Sequence, residues 1–200
     1  MKSYSDIENH IKGKSVAIVG NAQSILQKED GLFIDAYDVV IRMNFGYTFA
    51  PHLNRFVAPK YLGTKTDVVT AGNALNVFNE MNRYPGAKFL VHMSGGNRNE
   101  TIGKKQNKFH LYPIEYWESL KNVLTARPST GMMVFDMVEK SNPRHVAMFG
   151  FDWKHTPTYY NDGKNGRQKE EPNKPIGPHN WVMERNYIMG KCKNMNWDIV

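Results

Sequence analysis

The chain has 200 residues, 40% hydrophobic and 12% aromatic, which suits one globular domain over residues 1–200 and excludes a disordered or fibrous chain. No apolar run nears the roughly 20 residues a membrane helix needs, and the start, Met1-Lys2-Ser3-Tyr4-Ser5-Asp6, lacks the apolar stretch of a secretion signal; no membrane span and a cytoplasmic location are expected. The net charge of +7 favours an anionic ligand, acceptor or surface, and the single cysteine, Cys192, excludes an internal disulfide and suits a reducing cytosol.

Ser5 to Ile11 predicts an opening helix, with Ser5 as cap and Glu8 three residues on. Val16 to Val19 is a short β-branched apolar run ending at Gly20-Asn21, which predicts a strand buried on both faces. Val39 to Met43 repeats the pattern and ends in Asn44, so two strands each deliver an Asn to one edge, where open α/β sheets bind ligands. Gly46 to Gly63 reads as an irregular excursion over the mouth of that edge. Asp67 to Thr70 predicts a third strand, Ala74 to Asn82 a helix, and Lys88 to His92 a fourth strand, in the spacing of a βαβ series. Ser94 opens a basic loop reaching Lys108. Ile114 to Leu124 has apolar residues at helical spacing, and Met132 to Glu139 is an apolar helix with Ser129 and Thr130 as candidate caps. His145 to Phe149 reads as a buried strand, Thr156 to Gly177 as irregular, and a last helix runs from near Pro178 to about Gly190.

Chemistry concentrates at few places. Only Gly20 of a dinucleotide fingerprint is present, so an NAD site is poorly matched. Pro128-Ser129-Thr130-Gly131 offers two hydroxyls and a close backbone approach at a helix start, which is a phosphate cradle or a plain N-cap. His179, at the opening of the last helix and without metal-ligand spacing, reads as a general base or as a capping histidine. His179 and Glu184 are five apart, about 140° on an ideal helix, so they share a face only if His179 precedes the helix; Glu184 is given a supporting role at most. Tyr159-Tyr160 can serve as core or as phenols donating to phosphate. No Asp-x-Asp pair offers a metal bridge to a diphosphate.

Taken together and in order, these segments resemble the eukaryotic-type sialyltransferase family. Val16-Ala17-Ile18-Val19-Gly20-Asn21 through Gly31, Ile34-Asp35, Asp38, Val40-Ile41-Arg42-Met43-Asn44 and Gly63 to Asp67 is similar to its long motif. Arg127 to Gly131 with Val146 to Phe151 is similar to its short motif, Tyr159-Tyr160 to its third motif, and His179 to Glu184 to its very short motif. The resemblance implies an α/β, single-domain nucleotide-binding sheet flanked by helices, a sialyltransferase-like variant of the GT-A glycosyltransferase fold. It implies a metal-independent inverting transferase with a CMP-sugar as donor substrate, no cofactor, and a glycan acceptor. It further implies that Gly20, Asn21 and Asn44 hold the donor's phosphate and ribose, that Ser129, Thr130 and Gly131 line the donor pocket, that Tyr159 and Tyr160 assist the phosphate, and that His179 is the catalytic base. Neither motif carries the cysteine that secretory members use to join them, which points to a cytosolic relative.

Two other readings stand beside it. The basic stretch Arg98 to Lys108 would suit a glycosyltransferase acting on hydroxylated DNA bases, since phosphate contacts supply sequence-independent affinity. A non-catalytic nucleotide-binding module would keep the pocket and have no chemical need of His179.

Overall fold

A computed structural model describes residues 2–46, 49–50, 55–56, 58–79, 81–84, 86–95, 107–159 and 178–200. Its strands are β1 (Ser15–Val19), β2 (Val39–Met43), β3 (Phe49–Ala50), β4 (Arg55–Phe56), β5 (Val68–Ala71), β6 (Phe89–His92), β7 (His110–Leu111), β8 (His145–Phe149) and β9 (Asp198–Ile199). Seven of them form one sheet in the order β7-β6-β5-β2-β1-β8-β9, with every pairing parallel. β3 and β4 pair separately as a short antiparallel ribbon.

Parallel strands need cover on both faces, and the sequence supplies it. On one face Val16, Ile18, Val39, Ile41 and Val146 pack against helices α1 (Ser5–Ile11), α5 (Ile114–Leu124), α6 (Thr130–Lys140) and α7 (Trp181–Met195). Ile7 and Ile11, four apart on α1, are both fully buried there, each stabilising the fold by roughly 1.5–3 kcal/mol. On the other face Ala17, Val19, Val40 and Phe149 meet Ile25, Ile34, Leu62 and Tyr159. That layer carries the short helices α2 (Gly31–Asp35) and α3 (Pro59–Leu62), and α4 (Ala74–Phe78) lies beyond them.

Several boundaries differ from the sequence reading. Ser5 does not cap α1: the cap position is Tyr4, with no side-chain cap bond, and Ser5 lies inside the helix exchanging a hydrogen bond with Ser3. α4 ends at Phe78, and the remaining turn is a 3₁₀ segment, Met81–Arg83. α6 starts two residues early, and α7 starts at Trp181 and runs past Gly190, which has open space around its Cβ position. The stretch read as irregular between Gly46 and Gly63 contains α3 and the β3–β4 ribbon. An apolar reading of α6 also missed Asp136, 1% exposed, which accepts from the Tyr112 hydroxyl and pairs with Lys140. Buried charge of this kind is tolerated because its oxygens are matched.

The sheet order places the site. The chain runs outward from β1 through β2, β5, β6 and β7, then returns to lay β8 on the opposite side of β1. Strand order reverses between β1 and β8, the position outside whose carboxyl ends open α/β sheets form their ligand crevice.

Candidate functional site

The crevice is built from strand ends. Gly20 follows β1, and a Cβ there would stand 2.3 Å from the Gly150 carbonyl oxygen and 2.9 Å from the Phe151 ring. Only glycine lets β1 and β8 close at this point. The Phe151 ring also faces Gly131 at the start of α6, where a Cβ would be 3.0 Å from its edge. Phe151 thus wedges the two strand ends against the helix.

Asn21 and Asn44 brace adjacent strands. Asn21 Nδ2 donates to the Met43 carbonyl at 3.1 Å, tying the end of β1 to the end of β2. Asn44 has φ 53°, a left-handed conformation that Asn tolerates better than branched residues do. Its carbonyl accepts from the Tyr84 hydroxyl, its N–H donates to Thr70, and its Oδ1 accepts from the Gly72 N–H at 3.3 Å. Thr130 Oγ1 faces the same Gly72, 3.4 Å from where a Cβ would be. Among the described residues, the Asn44 Nδ2 and the Thr130 hydroxyl enter no hydrogen bond.

Ser129 is placed differently from what its motif suggests. It is 6% exposed; its hydroxyl accepts from Met132 N at 3.1 Å, capping α6, and donates to Glu184 Oε2 at 2.6 Å. Its own N–H donates to Glu184 Oε1 at 2.8 Å. The hydroxyl is committed inward, and the half-exposed Thr130 and Gly131 form the outward part of the cradle, at the positive end of the helix dipole. Glu184, 2% exposed, has its pKa raised to about 7 by burial, against the lowering effect of the two Ser129 bonds. Sequence reasoning gave Glu184 only a minor part, and its partner lies 55 residues away.

His179 precedes α7, whose cap is Asn180, accepting from Met183 N. His179 thus lies before the helix proper, so the 140° offset from Glu184 on an ideal helix does not apply to it. His179 Nδ1 lies 2.7 Å from the Arg127 carbonyl, which can only accept. Nδ1 therefore carries the proton, and the lone pair of the neutral ring is on Nε2. Trp181 meets the imidazole edge to face, with centroids 5.2 Å apart. Arg127 N donates to Pro178, so the segments bearing His179 and Ser129 are stitched together just before their helices.

Tyr159 is 2% exposed, and its N–H donates to the Asn21 carbonyl at 3.0 Å, beside the bridge between Ala22 and Thr158. Its hydroxyl and Asn21 Oδ1 converge on Gly46: a Cβ there would be 3.3 and 2.6 Å from them. Tyr160 lies outside the described residues, as do positions 96–106 of the basic stretch. A small cleft of about 150 Å³ lined by Ser24, Ile25, Lys28, Phe149 and Gly150 lies nearby and includes none of the expected donor-binding residues. Among the described residues no group of His, Cys, Asp or Glu is clustered to hold a metal ion, and no helix is long and apolar enough to cross a membrane.

A seven-stranded parallel sheet with a reversal in strand order and helices on both faces defines an open, doubly wound α/β fold. Within that class the chain has the sialyltransferase fold. It superposes on a mammalian sialyltransferase with a TM-score of 0.62 at 15% identity, covering 94% of this chain and 69% of that one. It superposes on the monofunctional alpha-2,3-sialyltransferase Cst-I from Campylobacter jejuni with a TM-score of 0.65 at 15% identity, covering 94% and 74%. With the sialyltransferase CstII from Campylobacter jejuni in complex with cytidine-5'-monophosphate, the TM-score is 0.57 at 15% identity over 94% and 79%. No family model matches the sequence, and neither does any curated protein.

Proposed function

We propose that the protein is a glycosyltransferase of the sialyltransferase kind, moving a sugar from a CMP-sugar to an acceptor hydroxyl. The observation that carries this reading is His179 at the crevice of a sialyltransferase fold, held through Nδ1 by the Arg127 carbonyl so that Nε2 is the basic atom. In the reaction Nε2 takes the acceptor proton as that oxygen bonds to the anomeric carbon. The carbon–oxygen bond to the phosphate breaks on the opposite side, CMP departs with the electron pair, and the anomeric configuration inverts.

The negative charge then grows on one phosphate. Asn44 Nδ2, the Thr130 hydroxyl and the start of α6 are the donors assigned to it, with Gly20 and Asn21 shaping the floor and Tyr159 and Tyr160 assisting. A departing monophosphate carries less charge than a diphosphate, so fixed dipoles suffice in this proposal and no metal is assigned. Support for the donor class comes from the CMP complex of CstII, which shares the fold. A glycan is the proposed acceptor and the cytoplasm the proposed location.

Calorimetric titration with CMP, using UDP and NAD as controls, with and without magnesium, tests the reading. Binding selective for CMP and indifferent to magnesium supports it. Preference for UDP keeps the fold and changes the donor, and absence of nucleotide binding removes the proposal.

A further inference from the structure

Beyond β8 the chain makes a turn in which two successive residues are left-handed, Trp153 at φ 50° and Lys154 at φ 73°. Neither is glycine, and a bulky side chain holds that conformation only where its surroundings impose it. Asp152 braces the turn. Its Oδ1 accepts from the Lys154 N–H at 3.1 Å; its Oδ2 accepts from the Thr156 N–H at 2.9 Å, from the Thr156 hydroxyl, and from the Ser24 hydroxyl at 3.2 Å. Trp153, half-buried, packs against the main core.

The turn brings two cations onto two indoles beside the proposed base. The Lys154 ammonium lies over the Trp181 ring, 5.5 Å from its centroid, and the Arg185 guanidinium lies over the Trp153 ring at 5.6 Å. The same Trp181 ring meets the His179 imidazole at 5.2 Å. Contacts therefore run unbroken from Arg185 through Trp153 and Lys154 to Trp181 and His179. A cation within about 6 Å of an aromatic face is held there by the ring quadrupole, which restrains two otherwise mobile side chains.

The charge of this cluster is positive. Residues 151–156 and 179–195 carry two carboxylates, Asp152 and Glu184. The first is engaged by the turn, and the second is buried against Ser129. Both indole Nε1 atoms are buried with no hydrogen-bond partner among the described residues, so the cluster is rich in donors as well as in positive charge. A general base meets the acceptor hydroxyl within hydrogen-bond distance, and a saccharide seated on His179 brings its neighbouring substituents toward Trp181 and the ammonium above it.

We propose that Lys154 and Arg185, mounted on Trp181 and Trp153, form an acceptor subsite that selects a saccharide carrying a carboxylate or phosphate near the hydroxyl it presents to His179. This rests on the transferase reading of the crevice. The held cations complement the acid, and a neutral sugar forgoes that attraction.

Calorimetry at saturating CMP compares galactose, galacturonic acid and galactose 6-phosphate on the wild type, Arg185→Gln and Lys154→Asn, asparagine being tolerant of the left-handed backbone. The wild type should bind at least one of the acids on the order of tenfold more tightly than galactose, and each variant should lose most of that preference. Preference for galacturonic acid alone identifies a carboxylate as the selected group, and preference for the phosphate ester alone identifies a phosphate. Equal binding of the three sugars, binding of none, or a preference unchanged in either variant overturns the proposal. A fall in CMP affinity that matches the fall in acid preference assigns the cations to the donor and overturns it too. Arg185 is exposed on α7, so its replacement spares the core, and Arg185→Gln decides alone if Lys154→Asn does not fold. If the wild type binds no CMP, the donor reading fails separately and the same comparison is made without nucleotide. An acid preference that falls in Arg185→Gln then retains the subsite, and any other result overturns it.

Discussion

Ser129 and Glu184 hold each other across two helices, the carboxylate taking both the N–H and the hydroxyl of the serine at 2.8 and 2.6 Å. The contact joins the cap of α6, which presents Thr130 and Gly131 to the crevice, to the first turns of α7, which follow directly on His179. The segments proposed as donor cradle and base are therefore set relative to each other by one buried pair.

That pair makes stability depend on pH. Burial raises the Glu184 pKa from 4.5 to about 7, so over that window the folded state keeps a proton that the unfolded state has lost. The contribution of this group is complete below about pH 4.5 and is lost as pH rises through about 7, by on the order of 3 kcal/mol at most. Melting temperatures of wild type and Glu184→Gln between pH 4.5 and 8 should converge as pH rises; parallel curves would show that Glu184 does not titrate in this range.

A double-mutant cycle measures the pair itself. Ser129→Ala alone should cost about 1–3 kcal/mol, since it removes a cap and leaves a buried carboxylate short of a donor. Combined with Glu184→Gln, the loss should fall short of the sum by roughly 0.5–3 kcal/mol in denaturant unfolding. Simple additivity would mean the contact is incidental.

Replacing the proposed base, His179, separates chemistry from binding. His179→Ala should lower turnover of a CMP-sugar on the order of 100-fold or more while CMP affinity stays near that of the wild type. Near-normal turnover would return His179 to a capping role.

Two glycines should respond differently to one added methyl. At Gly20 the new Cβ meets the Gly150 backbone at 2.3 Å, so Gly20→Ala should destabilise the fold by about 1–3 kcal/mol or more. At Gly46 it displaces the Asn21 amide oxygen, so Gly46→Ala should weaken CMP binding by roughly tenfold, a change of about 1.4 kcal/mol, with less effect on melting. Similar melting losses in both variants would place Gly46 in the framework and outside the site.

The parts legible in the sequence were those whose signal is local. Ser15–Val19, Val39–Met43 and His145–Phe149 each contain a short run of apolar residues (Val16 to Val19, Val39 to Ile41, Val146 to Phe149), and Ile114–Leu124 keeps a 3.6-residue apolar period, so each element was found within a residue or so of its place. The two-residue strands His110–Leu111 and Asp198–Ile199 were not, because two residues have no period and become strands only by pairing with β6 and β8. Ser5 was read as a cap from its neighbours, whereas α1 starts at Ser5 with Tyr4 in the cap position and no side-chain cap bond.

The site divides the same way. Gly20, Asn21 and Asn44 were read at strand ends and Thr130, Gly131 and His179 at helix starts, their binding roles and that of Tyr159 coming from the resemblance, and the parallel sheet brings the ends of β1 and β2 to one edge. The side-chain partners were decided only by tertiary structure. That Ser129 turns inward to Glu184, that His179 is oriented by the Arg127 carbonyl, and that Arg42 lies buried against Leu62, Lys65 and Thr66 are contacts across 20 to 55 residues. Hydrogen bonds act over about 3 Å, and a sequence order records which groups exist without recording which of them come that close.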